Sequence, residues 1–583
     1  MTSPLPTIAY FSMEVGLDSK MPTYSGGLGI LSGDTLRSAA DLQVPMVGVT
    51  LLYRQGYFQQ DLDASGQQTE EPVAWRPEDH LERLDPTVII TIEERRVAVR
   101  AWRCVVRGIT GHTVPVYFLD TALPENDAWD RSLTGQLYGG DSRYRLGQEA
   151  VLGLGGVAML EALGHTGPLH YHLNEGHAAL LILALLERRS AGRSAGWTDE
   201  DVEAVRTQCI FTTHTPVPAG HDRFESDVVR RLLGADRTAA LEAAECIVDG
   251  HLNMTYLALR FARYVNGVAL RHGEVSQGMF PHFPINTITN GVHAITWTSA
   301  PFQELFDRRI AGWRRDNLYL RYAMDLPLHE IERAHAQAKR ALLDEVTRLT
   351  GRRLSPETLT MGFARRATPY KRADLIFHDP DRLRWIAKHV GPIQIFFAGK
   401  AHPKDEPGKA LIRKIFETAA VLGDDVPVVY LERYDMDLAR LLVAGVDCWL
   451  NTPLKPLEAS GTSGMKAALN GVPSFSVLDG WWIEGHIEGV TGWSIGEGDE
   501  PPDDPATELV SLYRKLEQTI VPLFYGRPAE YVEVMRTTIA LNGSFFNTQR
   551  MLAQYISNAY VPNGAPRNGA SPTPPLGVPD RVS

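Results

Sequence analysis

The stretches Ile393-Gln394-Ile395-Phe396-Phe397, Val426-Pro427-Val428-Val429-Tyr430-Leu431 and Ser474-Phe475-Ser476-Val477-Leu478 are short runs rich in β-branched and aromatic residues, and helical patterns alternate with them through the second half of the chain. Strands that alternate with helices fold as α/β layers around a parallel sheet. Between Asp325 and Gly351 the apolar positions Ile331, Ala334, Ala338, Leu342, Val346 and Leu349 fall at helical spacing, with Pro327 near the start and Gly351 at the stop. A long helix is therefore expected to open this half. The first half also mixes strands, over Thr7 to Phe11, Val114 to Leu119 and Cys209 to Thr213, with helices. The Pro- and Trp-marked stretch Ile295 to Pro301 is the expected boundary, giving an N-terminal α/β lobe over 1–298 and a C-terminal α/β lobe over 299–561. Ligands in such sheets sit beyond the carboxyl ends of the strands, so a cleft between two facing lobes is the natural site. From Pro562 to Ser583 the composition turns to Pro, Gly, Asn and Ser without periodicity, which reads as a disordered tail.

The totals agree with two lobes, because 583 residues exceed what one ordinary core supports. The chain is 44% hydrophobic and 22% charged, the balance of a soluble globular protein. A net charge of −12 argues against a general affinity for nucleic acid or anionic membrane, and makes local basic clusters stand out. Cys104, Cys209, Cys246 and Cys448 lie far apart and form no CxxC pair, so neither a zinc site nor a disulfide framework is suggested and a reducing cytoplasm fits. No segment approaches eighteen uninterrupted apolar residues, and Met1 to Thr7 has no basic start followed by an apolar run.

Two segments carry chemistry. In Glu458-Ala459-Ser460-Gly461-Thr462-Ser463-Gly464-Met465-Lys466-Ala467-Ala468-Leu469-Asn470-Gly471, small residues lead straight into a helix-forming stretch, an arrangement that offers backbone N–H groups to an anion. A phosphate-bearing aldehyde held there could condense with the Lys466 amine. Such turns are common as plain helix caps, and no Lys-Ser or Lys-Thr pair makes this a Walker loop. The second segment, Arg365-Arg366-Ala367-Thr368-Pro369-Tyr370-Lys371-Arg372, follows the strand-like Leu359 to Ala364. Arginines at a strand end give bidentate contacts to phosphate oxygens and Lys371 adds a point charge, although a solvated basic loop has the same composition. Two phosphates close together would carry roughly three to four negative charges, which this cluster can balance.

Both segments, with the Ser25-Gly26-Gly27-Leu28-Gly29 loop, resemble the glycogen, starch and maltodextrin phosphorylases. So do Gly56-Tyr57-Phe58-Gln59-Gln60, Arg145-Leu146-Gly147-Gln148-Glu149, Asn174-Glu175-Gly176-His177, Thr213-His214-Thr215, Thr289-Asn290-Gly291 and Gly399-Lys400-Ala401, in the same order from about Ile8 to about Tyr560. The resemblance implies two Rossmann-like lobes facing a central cleft, the GT-B glycosyltransferase-type fold. It also implies phosphorolysis of an α-1,4-glucan to glucose 1-phosphate with pyridoxal 5′-phosphate as cofactor. By position, Lys466 resembles the Schiff-base lysine, Gly461, Thr462, Ser463 and Gly464 the loop around the cofactor phosphate, with Arg365 beside it and Tyr434 an aromatic neighbour of the cofactor. Arg366 and Lys371, with Gly27, resemble the substrate-phosphate site, and Glu458, Ser460, Asn290, His214 and Tyr370 the groups that hydrogen-bond the glucosyl unit. The expected partners are α-glucan and inorganic phosphate; the resemblance also allows a homodimer.

Three departures from the larger, regulated phosphorylases bear on detailed contacts: Asp435 where they have an arginine, Thr368-Pro369 where they have His-Glu, and Ser463-Gly464 where they have Gly-Asn. The chain begins near the first shared strand, so it resembles the short branch of the family and no phosphorylation or nucleotide control is expected. Other readings compete. His170-Tyr171-His172 with Glu175 and His177 suggests metal ligands by type, but the resemblance places Asn174 to His177 at a strand-to-helix turn lining the cleft, where hydrogen bonding to sugar or to the fold is the expected use, and no metal is expected. A glycoside hydrolase would need two flanking carboxylates, for which Glu458, Glu484 and Glu488 qualify by type only. The runner-up is a nucleotide-sugar glucosyltransferase of the starch synthase kind, which shares the lobes and a Gly-Gly-Leu-Gly loop but would bond no lysine to a cofactor; a catalytically silent carbohydrate-binding relative is a third reading.

Overall fold

The computed structural model describes residues 5–191, 197–496 and 505–561, so the tail expected over 562–583 lies outside the described residues. Two sheets organise the chain. The first has nine strands in the spatial order Asn286–Thr287, Tyr264–Gly267, Cys209–Thr212, Leu169–Asn174, Thr7–Ser12, Met46–Leu51, Thr113–Asp120, Arg95–Arg107, Glu82–Ile92. It is parallel as far as Thr113–Asp120 and antiparallel across the last two pairings. The second has six strands, Val428–Leu431, Ile393–Ala398, Leu359–Ala364, Cys448–Asn451, Ser474–Val477 and Gly492–Ile495, all parallel. Helices cover both faces of such a sheet, and Leu359–Ala364 and Ile393–Ala398 are accordingly buried at every position.

Register sets the site. Ala364 pairs with Ala398 and Ala398 with Leu431, so three neighbouring strands end level and Arg365, Gly399 and Glu432 emerge side by side at their carboxyl ends. The long helix runs over Leu328–Thr350, with Pro327 before it and Gly351 after it at φ 72°, a left-handed conformation that glycine adopts without a Cβ clash. Its buried stripe contains Ile331, Ala334, Ala338, Leu342 and Val346. Leu349, expected on that stripe, is instead exposed in the last turn. Burial of this stripe is what fixes the helix, because propensity alone contributes little.

The lobes are also joined beyond the linker. Helix Thr548–Tyr555 and the turn Ile556–Tyr560, which the expected boundary assigns to the second lobe, pack against the first: Met551, Leu552, Tyr555 and Tyr560 share one apolar cluster with Ile8, Tyr10, Leu36 and Ile210. In the other direction, the hairpin of Gln59–Leu62 and Gln68–Glu71 reaches from the first lobe onto the second. Gln60 Nε2 donates to the Gly399 carbonyl at 2.9 Å and Gln68 Nε2 to the Ala401 carbonyl at 2.9 Å. Lys400 Nζ donates to the Phe58 carbonyl at 3.0 Å. Two motifs far apart in sequence, Gly56 to Gln60 and Gly399 to Ala401, thus meet across the cleft. Among the described residues no helix is long and apolar enough to cross a membrane.

Candidate active site

The carboxyl ends of the second sheet supply most of the cations. Arg365 and Lys371 converge on one carboxylate: Arg365 Nη2 lies 2.6 Å and Lys371 Nζ 2.5 Å from Glu458 Oε2. All three are buried at the side chain. Burial alone would raise the Glu458 carboxyl, but the two cations outweigh it and hold it below its ordinary value. Burial and the neighbouring Arg365 push Lys371 down to about 7 against the pull of Glu458. The ammonium also lies 4.4 Å from the centre of the Tyr370 ring. Glu458 is held from behind, since its backbone N–H donates to Asp479 Oδ2 at 2.9 Å and Trp481 N–H donates to the Ser460 carbonyl at 2.8 Å.

Arg366, next along the chain, differs. It is open to water in the cleft, and among the described residues its guanidinium has no hydrogen bond or ion pair. It faces the glycine loop of the other lobe: a Cβ at Gly26 would come 3.3 Å from Arg366 Nη2, while beside Gly27 the space is open. Gly26 and Gly27 begin the helix Gly27–Asp41, whose first N–H groups have no partners within the helix. The loop is fixed by Glu14, a buried residue just past the strand Thr7–Ser12. Its Oε2 accepts from Ser25 N–H at 2.5 Å and Gly26 N–H at 3.2 Å, and its Oε1 accepts from the Tyr138 hydroxyl at 2.9 Å. A free cation and a braced glycine loop therefore face one another from the two lobes.

Lys466 sits in the short helix Ser463–Ala468, buried, with its Nζ 4.0 Å from the centre of the Trp297 ring. Among the described residues that nitrogen has no hydrogen bond or ion pair. Burial pushes its pKa down to about 8, with Asp34 acting in the opposite sense. An amine so placed is neutral often enough at neutral pH to attack a carbonyl. Gly464 admits no side chain, because a Cβ would come 2.7 Å from Trp481 Cζ2. Ser463 Oγ is taken up by Trp449 Nε1–H at 3.1 Å, whereas Ser460 Oγ is buried without a hydrogen bond.

On the first lobe, His214 Nε2 donates to Asn174 Oδ1 at 2.7 Å, and Glu175 Oε2 accepts from His214 N–H at 2.7 Å and the Thr215 hydroxyl at 3.0 Å. Burial pushes His214 down to about 4, so the ring is neutral at pH 7. Asn290 is buried with Oδ1 lacking a hydrogen bond, while Arg550 Nη2 holds its carbonyl at 2.8 Å. Tyr434 is half-buried, its hydroxyl pushed up by burial and by the adjacent Asp435. Asp435 itself caps the helix Met436–Gly445, accepting from Leu438 N–H at 2.9 Å, which is the use of a carboxylate where larger relatives carry an arginine.

Arg365, Arg366 and Lys371 thus follow the end of the strand Leu359–Ala364, Glu14 and the glycine loop follow the end of Thr7–Ser12, and Lys466 lies on the short helix Ser463–Ala468. The carboxylates by type have other work: Glu484 joins the lobes, accepting from Thr289 Oγ1 at 2.7 Å and Leu270 N–H at 2.9 Å, and Glu488 pairs with His486 and Lys515. His172 is bonded to Tyr560 and Thr212. Among the described residues no group of three or more His, Cys, Asp or Glu could hold a metal ion. Sequence reasoning passed over Glu14, Asp34, Trp297 and Asp479. Glu14 and Asp479 directly follow strand ends, the one signal that could have marked them.

A family model described as carbohydrate phosphorylase matches residues 222–489. The maltodextrin phosphorylase of Thermococcus litoralis is 39% identical, the match covering 95% of this chain and 70% of that protein. The glycogen phosphorylase of Mycobacterium tuberculosis is 39% identical over 96% of this chain and 71% of its own length, and that of Aquifex aeolicus 35% identical over 95% and 86%. The Lys466 turn lies inside the family match, and relatives 35 to 39% identical match over nearly the whole chain and more than two thirds of their own length, so the chain belongs to the carbohydrate phosphorylase family.

Proposed function

We propose that this protein is a retaining α-1,4-glucan phosphorylase, which moves the glucosyl unit at the non-reducing end of glycogen or maltodextrin onto inorganic phosphate, reversibly, to give α-D-glucose 1-phosphate. The observation that carries the reading is the buried amine of Lys466, which rests on the Trp297 ring beside a glycine-rich turn and has no hydrogen bond or ion pair among the described residues, together with Arg366 facing an open glycine loop. These residues fit pyridoxal 5′-phosphate: Lys466 would anchor its aldehyde carbon, and Gly461, Thr462, Ser463, Gly464, Arg365 and Tyr434 would surround it. The bound cofactor would supply a phosphate group able to exchange a proton with the substrate phosphate.

The protein's own groups do the rest. Arg366 and the N–H groups at Gly27 hold the substrate phosphate, and Lys371 adds charge where negative charge gathers in the transition state. Glu458 orients Arg365 and Lys371 through its ion pairs with both. Asn290, Ser460 and His214 offer polar atoms that the sugar hydroxyls would satisfy, two of them lacking any hydrogen bond in their absence. Tyr370 lies against Lys371 at the same wall. The enzyme would act in the cytoplasm, as a monomer or homodimer.

The test is the purified protein's absorption spectrum, followed by borohydride reduction and peptide mapping. Bound pyridoxal absorbing outside the protein range, with the pyridoxyl group on the peptide containing Met465 and Lys466, is the expected result. Active protein that carries no pyridoxal and consumes a nucleotide-sugar would overturn the reading in favour of a glucosyltransferase.

A further inference from the structure

Asn290, one of the expected sugar contacts, sits in the turn after the strand Asn286–Thr287, and both Thr289 and Asn290 are buried. Its side-chain Oδ1 accepts no hydrogen bond. Its backbone, in contrast, is held by a residue 260 positions further along the chain. From the helix Thr548–Tyr555, Arg550 Nη1 donates to the Thr289 carbonyl at 2.6 Å and Nη2 to the Asn290 carbonyl at 2.8 Å. The guanidinium is aimed by its own segment: Nε donates to the Phe545 carbonyl and Nη1 to Gln554 Oε1, each at 2.9 Å, and its carbon lies 4.8 Å from the Phe545 ring centre. Among the described residues Arg550 has no ion pair. Burial pushes it down to about 10, with Glu484 acting in the opposite sense, so at neutral pH a cation is kept there to bind amide oxygens.

The two carbonyls belong to the planar peptide units on either side of the Asn290 Cα. Holding both planes fixes φ and ψ of Asn290, and with them the direction in which its Cβ leaves the chain. The first plane is held twice, since Asn290 N–H also donates to the Val268 carbonyl at 2.9 Å. The second, between Asn290 and Gly291, is hydrogen-bonded among the described residues by Arg550 alone. The ends of the turn are pinned separately: the Thr289 hydroxyl donates to Glu484 Oε2 at 2.7 Å, and Val292 N–H donates to the Phe546 carbonyl at 3.1 Å. Gly291 passes so close to the same C-terminal segment that a Cβ would come 2.3 Å from the Asn547 carbonyl carbon. We propose that Arg550 is a positioning residue for the glucosyl site, which grips two successive carbonyls and so aims the Asn290 side chain at a sugar hydroxyl. The sugar wall of the first lobe is then completed by a helix that follows the second lobe in sequence. The inference rests on the phosphorylase reading and on Asn290 lying at the sugar.

Arg550→Lys separates charge from geometry, because a single ammonium keeps the charge but cannot reproduce the fork that spans both carbonyls. The readout is kcat/KM for chain extension with glucose 1-phosphate and with its monodeoxy analogues, each lacking one hydroxyl, in wild type, Arg550→Lys, Asn290→Ala and the double variant. Asn290→Ala identifies the hydroxyl that Asn290 holds, as the one whose removal ceases to matter. Arg550→Lys should lower kcat/KM for glucose 1-phosphate about tenfold, the size of one misplaced hydrogen bond, and should lose discrimination against that same analogue while keeping it against the others. In the Asn290→Ala background Arg550→Lys should change little, since the two residues act through one contact. A merely structural role would lower the thermal midpoint without moving this pattern. Discrimination left as in wild type, or weakened equally for every analogue, overturns the proposal and leaves the phosphorylase reading intact, as does an Asn290→Ala enzyme that discriminates like wild type. If Arg550→Lys does not fold, Arg550→Gln, whose amide can reach one carbonyl, is measured in its place, and the same two patterns support or overturn the proposal. Wild-type protein that consumes a nucleotide-sugar and not glucose 1-phosphate defeats both.

Discussion

Glu14 should control phosphate binding without touching phosphate. Its carboxylate accepts four hydrogen bonds, from Ser25 N–H, Gly26 N–H, the Ser25 hydroxyl at 3.2 Å and the Tyr138 hydroxyl, and so fixes the turn that begins the helix Gly27–Asp41. In Glu14→Gln the amide oxygen can stand in the place of Oε2 and keep both backbone N–H groups, but those bonds lose their charge, and the NH2 group in the place of Oε1 meets the Tyr138 hydroxyl that had donated to it. Turning two charge-assisted bonds into neutral ones costs about 1 kcal/mol each, and the forced turn of the Tyr138 hydroxyl brings the cost to about 1 to 3 kcal/mol concentrated in the loop. If the loop must be ordered to present Gly27, that cost appears as a roughly 5- to 150-fold fall in kcat/KM for phosphate. The Gly26 to Arg366 distance across the cleft is set by the same turn, so the defect should fall on phosphate more than on glucan. Initial rates of phosphorolysis with each substrate varied in turn measure the split. A Glu14→Gln enzyme with unchanged kinetics for phosphate and an unchanged thermal midpoint would refute the bracing argument, because four bonds to a buried carboxylate would then be contributing nothing to the loop.

Arg366→Ala should cost about 2 to 4 kcal/mol of transition-state stabilisation, since it removes a charge-assisted contact to the substrate phosphate from a closed site; near-wild-type phosphorolysis would take Arg366 out of the site. Lys371, pushed down to about 7, is a cation below that pH and loses its charge above it, so the inhibition constant of sulfate, whose own charge is constant over this range, should rise between pH 6 and 8 in wild type and flatten in Lys371→Gln. Glucose 1-phosphate should extend a maltodextrin primer while galactose 1-phosphate does so poorly, because buried polar atoms such as Asn290 Oδ1 and Ser460 Oγ discriminate against a misplaced hydroxyl; equal use of both sugars would remove these contacts from the sugar site.

What the sequence revealed and what it concealed follow from the same physics. Ile393–Ala398 and Leu359–Ala364 were legible because strands of a parallel sheet are buried on both faces and read as unbroken apolar runs. Glu82–Ile92 and Arg95–Arg107 were not, because in these antiparallel strands exposed charges such as Arg83, Asp85 and Arg96 interrupt the buried positions. The helix Thr548–Tyr555 shows its apolar stripe in sequence, but a stripe does not say which lobe it covers, and only Met551 and Leu552 lying against Leu36 decide that. At the site the cations could be found because Arg365, Arg366 and Lys371 stand out in an acidic chain. The carboxylates could not, since acidic side chains are numerous and the use of each depends on what it faces. Glu14 faces backbone donors and Glu458 faces two cations. Each therefore sets the state of a neighbour: the order of a loop, the direction of two charges. A cleft that must admit phosphate needs unpaired positive charge, and buried positive charge is tolerable only where such anions are fixed close by. The carboxylates are thus part of the anion site although none of them is meant to touch the anion, and substitutions that neutralise them should alter phosphate and cofactor chemistry before they alter the fold.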